Sequence, residues 1–218
     1  CTALTIFNIG VNLGSLEEKE WSWLACSAIF SEFSYQKPEN MELMKKYYPE
    51  FTVESSSTSK PGINARKISS AMIYYQGQEK TLYSLVKEKN IEQMSESQKI
   101  IEDEIDEKMQ NFFEKAEFFP GRKMYIYKLE SNYNIKSYLT TLISKIKPEY
   151  SFIILTEIPE KNLIKVSARN QSKNTDMNLL IKKAIKDIPD STGGGHAAAA
   201  GAIIKKEDYG KFKENLLN

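Results

Sequence analysis

The residues most able to do chemistry in this chain lie in one segment, Ser191-Thr-Gly-Gly-Gly-His-Ala-Ala-Ala-Ala-Gly201. Gly193, Gly194 and Gly195 leave three successive backbone N–H groups unshielded and free to adopt positive φ. Such backbone can curl into an anion-binding nest around a phosphate. Ala197 to Ala200 are small enough for close approach of a neighbouring strand or a ligand. His196 adds a donor for a phosphate oxygen, or a ring on which a base can stack. A flexible glycine loop before a small-residue turn is the plain alternative, and the residue types alone leave the two level.

Metal chemistry has a poorer basis. His196 is the single histidine, the first aspartate is Asp103, and the chain contains neither Asp-His-His nor Asp-x-Asp. A two-metal hydrolytic site needs clustered Asp and His ligands with their own hydrogen-bonded support, and these residues do not supply one. The expectation is no metal and no cofactor within this chain. The two cysteines, Cys1 and Cys26, rule out a disulfide framework and read as reduced thiols.

The 218 residues carry 30 basic and 29 acidic side chains, a formal charge of +1. The chain is therefore no polycation, and nucleic-acid binding must come from a local patch. From Lys161 to the end there are 11 basic and 6 acidic residues. Lys165, Arg169, Lys173, Lys182, Lys183, Lys205 and Lys206 could line a strand-tracking groove, with Arg169 and one or two others expected to make contact. No apolar run reaches the roughly 20 residues of a membrane helix, and no signal-type N-terminus is present. The expectation is a cytoplasmic protein with no membrane partner. The chain opens without Met, on an apolar-periodic segment with no cap before it, which reads as the middle of a longer protein.

The elements that must position the glycine segment are readable from periodicity. Residues 1–50 read as helices. One runs from Leu16 to Glu32, with Ser15 as N-cap and Glu18 completing a capping box. Another starts at Pro38 and carries Met41, Met44 and Tyr48. Residues 52–62 form a polar loop ended by Pro61-Gly62. Ile63 to Tyr75 is helical, with Ile68, Ala71, Met72 and Tyr75 on one stripe, and a short helix follows around Leu82, Leu85 and Val86. Residues 91–117 form one long acidic helix with a seam of Met94, Ile101, Ile105, Phe112 and Ala116, stopped by Pro120-Gly121. Beyond it the pattern changes. Strands are expected at 123–129, 150–156 and 163–168. Helices are expected at 135–146, at 177–188 with Asn174 or Asp176 as cap, and at 207–217. The alanines run into a strand at Ala202-Ile203-Ile204.

The match Gly193-Gly-Gly-His196 with Ala199-Ala-Gly201 resembles the signature of the DHH-associated domain, which follows the catalytic domain in RecJ-type exonucleases, oligoribonucleases and cyclic-dinucleotide phosphodiesterases. Val166-Ser-Ala-Arg169 resembles the family's strand ending in Ser-x-Arg, which helps hold substrate phosphate. The resemblance implies phosphate or nucleic-acid contacts at Ser167, Arg169, Gly193, Gly194, Gly195 and His196, and no catalytic residue. Residues 1–90 resemble more loosely the later part of a DHH domain. The helix Trp21 to Glu32 then corresponds to one that ends in a metal-binding Asp, where this chain has Ser31 or Glu32. The implied fold is α/β: a mostly helical remnant of a DHH domain over 1–90, a connecting helix over 91–120, and an α/β DHH-associated domain with a mixed sheet over 121–218.

What this implies for function divides. A preserved binding motif beside a missing metal site resembles inactive RecJ-like replication proteins. The eukaryotic one is cell-division-cycle protein forty-five, which joins the MCM ring and the GINS complex in the replicative helicase, and some archaea use a truncated RecJ-like protein as its counterpart. The expected partners are then single-stranded nucleic acid, GINS and MCM. The alternative is the C-terminal portion of a manganese-dependent exonuclease or oligoribonuclease whose catalytic half lies upstream. An accessory domain of tRNA-synthetase type ranks below both. Trp21, Trp23, Tyr47 and Tyr48 could serve a partner interface, though such residues are more often core. The acidic long helix would repel a polyanion, which puts the nucleic acid on the C-terminal lobe.

Overall fold

The computed structural model describes residues 1–218 and divides them into two compact units, Cys1–Glu102 and Asp103–Asn218. The division falls inside one helix. The element expected to connect two domains is therefore shared between the units.

The first unit is helical: α1 (Thr2–Asn12), α2 (Glu18–Ser31), α3 (Pro38–Tyr47), α4 (Lys60–Tyr74), α5 (Glu79–Lys87) and the first part of α6 (Ile91–Lys115). Cys26, Ile29, Met44 and Phe51 form one buried cluster, and Ala71, Tyr75, Leu85 and Met94 form another. Burial pushes the Cys26 thiol up to about 12, which keeps it protonated. Ser15 does not cap α2. Its N–H and hydroxyl both bond the Gly10 carbonyl, because Gly14 at φ +66° turns the chain back over the end of α1. Pro61-Gly62 does not end a loop but sits in the first turn of α4, where Ser59 accepts from the Gly62 N–H at 3.3 Å. Met72, expected on the buried stripe, is 58% exposed, while Ala71 and Tyr75 are buried. No helix is long and apolar enough to cross a membrane.

The second unit is built on a six-stranded mixed sheet. Its strands are β1 (Glu117–Phe119), β2 (Met124–Lys128), β3 (Ser151–Ile158), β4 (Leu163–Arg169), β5 (Thr192–His196) and β6 (Ala199–Lys205), in the order β1-β2-β3-β4-β6-β5. Only β2 and β3 are parallel, joined across α7 (Lys136–Ile146). The remaining neighbours are antiparallel. Helix α6 stops at Lys115, short of Pro120, because Phe118 pairs opposite Tyr125 and stacks on it at 4.5 Å between centroids. The hairpin loops β1–β2 and β3–β4 are alike. Each begins with Pro in a short turn and ends on a left-handed residue, Lys123 or Asn162.

Alternation along the strands assigns the two faces. Ile164, Val166 and Ala168 of β4 join Ile153, Leu155, Ala202 and Ile204 in a core with α8 (Met177–Ala184) and α9 (Tyr209–Leu217). Asp176 caps α8, accepting from Leu179 N at 3.0 Å. That helix is shorter than expected, because Asp187 turns left-handed at φ +58° and returns Ile188 to the core. On the opposite face α7 packs over β3 and β4, and Phe112 of α6 packs on Tyr127 and Phe152.

Candidate nucleic-acid interface

The glycine segment folds as a β-hairpin rather than a nest. Gly193, Gly194 and Gly195 pair with Ala202, Gly201 and Ala200, and β5 forms one edge of the sheet. A nest needs alternating helical conformations along the chain. Gly194 and Gly195 instead lie in nearly extended backbone at φ +156° and +155°. Close packing explains the residue type. A Cβ on Gly195 would collide with the Ala199 carbonyl oxygen, and one on Gly201 would lie 2.9 Å from that of Val166.

The hairpin tip is held from outside. Ala197 and Ala198 form a two-residue connection whose carbonyls accept from Met177 N at 2.9 Å and Asn170 N at 3.0 Å. Asn178 Oδ1 accepts from Gly195 N at 3.0 Å. Asn170 is itself fully buried, with its amide on Ser151 Oγ and its Oδ1 accepting from Ser172. These contacts fix where His196, exposed at the end of β5, can stand.

Register then brings the expected residues into rows. Arg169 stands opposite Ala199, which stands opposite His196; Ser167, Gly201 and Gly194 form the next row; Lys165, Ile203 and Thr192 form the third. Residues directly opposite share a face, so all three rows look out on the side away from α8. Arg169, His196, Ser167 and Gly194, four of the expected contact residues, lie in the first two rows. Gly193 and Gly195 turn the place of their missing side chains into packing instead. The middle row offers bare backbone beside one hydroxyl. Ser167 is only 6% exposed and its hydroxyl bonds nothing in the chain.

Electrostatics sharpen the picture. Arg169 is half-buried, its Nε donating to Thr141 Oγ1 at 3.3 Å, and no carboxylate pairs with it. Thr141 passes its own proton to Ser137 O, so it can only accept from the guanidinium. Burial draws the Arg169 pKa down, though an arginine so placed stays charged. A cleft of about 290 Å³ adjoins the third row, lined by Lys136, Lys165, Thr192, Gly193, Gly201 and Ile203, with no acidic side chain. Lys136 at the start of α7 is only 7% exposed; burial, with help from Lys165, pushes its pKa down to about 8. Sequence patterning carries no signal for Lys136, Thr141 or Asn178, since their roles come from packing between elements distant in sequence. Of the other basic residues expected along a groove, Lys205 pairs with Asp190 and Lys206 with Glu157.

The remaining expectations fall in the first unit. Glu32 Oε1 accepts from Ala3 N at 3.2 Å, so this carboxylate serves the start of α1. Ser31 Oγ donates to Ser27 O. No three His, Cys, Asp or Glu side chains gather as a metal site would require. The residues present do not fit the two-metal centre of a DHH phosphoesterase. Tyr47 and Tyr48 pack against the Cys26 cluster, and the Tyr47 hydroxyl donates to Glu18. Trp21 and Trp23 are likewise partly buried rather than exposed.

Residues 124–218 match the DHHA1 domain family. No curated protein matches the chain. Among solved structures, RecJ from Thermus thermophilus in complex with magnesium is similar with a TM-score of 0.69 at 12% identity, over 95% of this chain and 35% of that one. An exonuclease RecJ bound to manganese gives 0.69 at 14% identity, over 98% of this chain and 58% of that one. The DHH domain of a member of the S1p family of ribosomal proteins gives 0.54 at 14% identity, over 92% of this chain and 49% of that one. The chain thus has a RecJ-like fold and spans between about a third and three-fifths of the length of these RecJ structures.

Proposed function

We propose that this chain, with a DHHA1 domain in a RecJ-like fold, binds single-stranded nucleic acid along the β4–β6–β5 face and acts as a non-hydrolytic replication subunit. One observation carries the binding: Arg169 and Lys165 flank the largely buried, unbonded hydroxyl of Ser167 on the face of β4 that α7 partly covers, and neither cation has a carboxylate partner. A surface evolved only for solubility has no reason to hold an arginine half out of water without an anion. A phosphate supplies that anion, bound bidentately by the guanidinium and by the Ser167 hydroxyl. The glycine rows let a sugar–phosphate backbone approach the sheet closely. His196 offers a ring for stacking on a base, which is sequence-tolerant.

The non-hydrolytic part is supported by the use of Glu32 as a helix cap and by the dispersal of carboxylates away from the single histidine. Together with the sequence resemblance to inactive RecJ-like replication proteins, it extends the reading to association with the GINS complex and the MCM helicase. The test is binding of end-labelled single-stranded DNA and RNA with manganese present, followed by gel analysis of the same samples, and co-purification with GINS. Retention of intact strand supports the proposal. Shortened product would overturn its non-hydrolytic part, and absence of binding would overturn the whole.

A further inference from the structure

We infer that the cleft between the start of α7 and the third row, lined by Lys136 and Lys165, is a second phosphate subsite that takes a backbone phosphodiester two nucleotide units from the one held at Arg169. The inference rests on the strand-binding reading and specifies how much of the strand is held.

The geometry is set by β4. Lys165, Ser167 and Arg169 lie on one face at two-residue intervals, so each step spans about 6.7 Å and Arg169 to Lys165 about 13 Å. An extended nucleotide unit covers a distance comparable with one step. A strand running parallel to β4 beside α7, over the bare row of Gly201 and Gly194, would thus present successive phosphates at the levels of Arg169, of that glycine row, and of the lysine cleft.

The cleft itself asks for an anion. The Lys136 side chain is more than nine-tenths buried, lines the cleft, and has no hydrogen bond or ion pair on its ammonium. Lys165 stands on the same cleft and is equally without a carboxylate. Two like charges gathered at one opening, one of them desolvated, oppose folding unless something offsets them. No acidic side chain lines the space, and Gly193 and Gly201 contribute backbone rather than side chains to its wall. A tetrahedral anion with charge-assisted bonds to both ammonium groups satisfies each of these features. The absence of any carboxylate also distinguishes the cleft from the surface pairs Lys205–Asp190 and Lys206–Glu157, where the charges are already matched.

The test uses the whole chain, Lys136→Met, Lys165→Gln and the double variant, with oligonucleotides carrying a single neutral methylphosphonate at successive positions. Lys165→Gln alters an exposed residue and preserves a folded reference should Lys136→Met unfold. Neutralising the phosphate two units from the Arg169-bound one is expected to weaken wild type about tenfold and the double variant hardly at all. The double variant should also lower the slope of log affinity against log salt by about 0.7, the value for one single-strand phosphate. Equal methylphosphonate effects on wild type and double variant, with an unchanged salt slope, would overturn the inference while leaving strand binding intact. A wild type that binds no strand would instead bring down the reading on which it rests. Tighter binding of inorganic phosphate than of any oligonucleotide, lost in Lys136→Met, would show a free-anion site and overturn the strand assignment.

Discussion

Replacing Lys136 by methionine should make the ligand-free protein more stable. The ammonium is buried, unpaired and faces Lys165, and its pKa is held near 8 in the fold against an ordinary value of 10.5. That difference converts to roughly 3 kcal/mol at 1.36 kcal/mol for each pH unit. Water reaching the cleft reduces the figure to about 2 kcal/mol. Methionine keeps most of the apolar stem and carries no charge, and its flexible chain suits an irregular space. At pH 7 the variant should therefore gain about 1–2 kcal/mol, a rise of several degrees in Tm for a chain of this size. The pH dependence carries the sign. Between pH 8 and 10.5 the unfolded wild type binds more protons at Lys136 than the folded form does, so wild-type stability rises with pH across that window. The advantage of the variant should shrink accordingly and vanish above about pH 10.5. Scanning calorimetry of both proteins from about pH 7 to 10 measures it. A variant less stable than wild type, or an advantage that stays flat with pH, would refute the reasoning.

Three further outcomes follow from the same geometry. Gly195→Ala drives a Cβ into the Ala199 carbonyl oxygen and should cost about 2 kcal/mol or more, seen as faster hydrogen exchange in β5 and β6. Asn178→Ala removes the acceptor of the Gly195 N–H, should cost about 1 kcal/mol, and should weaken strand binding severalfold with little change in circular dichroism. Cys26 should resist alkylation at pH 8 in the native protein, since burial raises its thiol to about 12, and react on unfolding; a native count of two fast thiols would contradict this.

The strands and the sheet unit were legible because their signals are local. Alternation at 123–129, the buried run at 150–156 and the Ser-x-Arg strand each stand on residues adjacent in sequence, and each lies within a residue or two of the observed element. The cap of α8 was narrowed to Asn174 or Asp176 for the same reason, and Asp176 is the one that serves. The hairpin form of the glycine segment was not, because its conformation is set by Asn170, Met177 and Asn178 bonding the tip from other elements. Likewise β1 fell between the end of the expected long helix at 117 and Pro120, too short to show alternation, and is fixed only by Phe118 pairing with Tyr125. The positions of Ser167, Arg169 and His196 could be named from the motif, but their common face required the register of β4, β6 and β5. Lys136 had no local mark at all: a lysine beginning an amphipathic helix is ordinary until the space around it is known.

Salt-titrated affinity of a labelled single-stranded oligonucleotide for wild type and for the Arg169→Ala/His196→Ala double variant tests the central claim most directly. The account predicts that log affinity of wild type falls linearly with log salt. The double variant should bind at least about tenfold more weakly, with a slope shallower by about 0.7 for the lost phosphate contact. An unchanged affinity and slope in the double variant would contradict it and remove the nucleic acid from this face of the sheet.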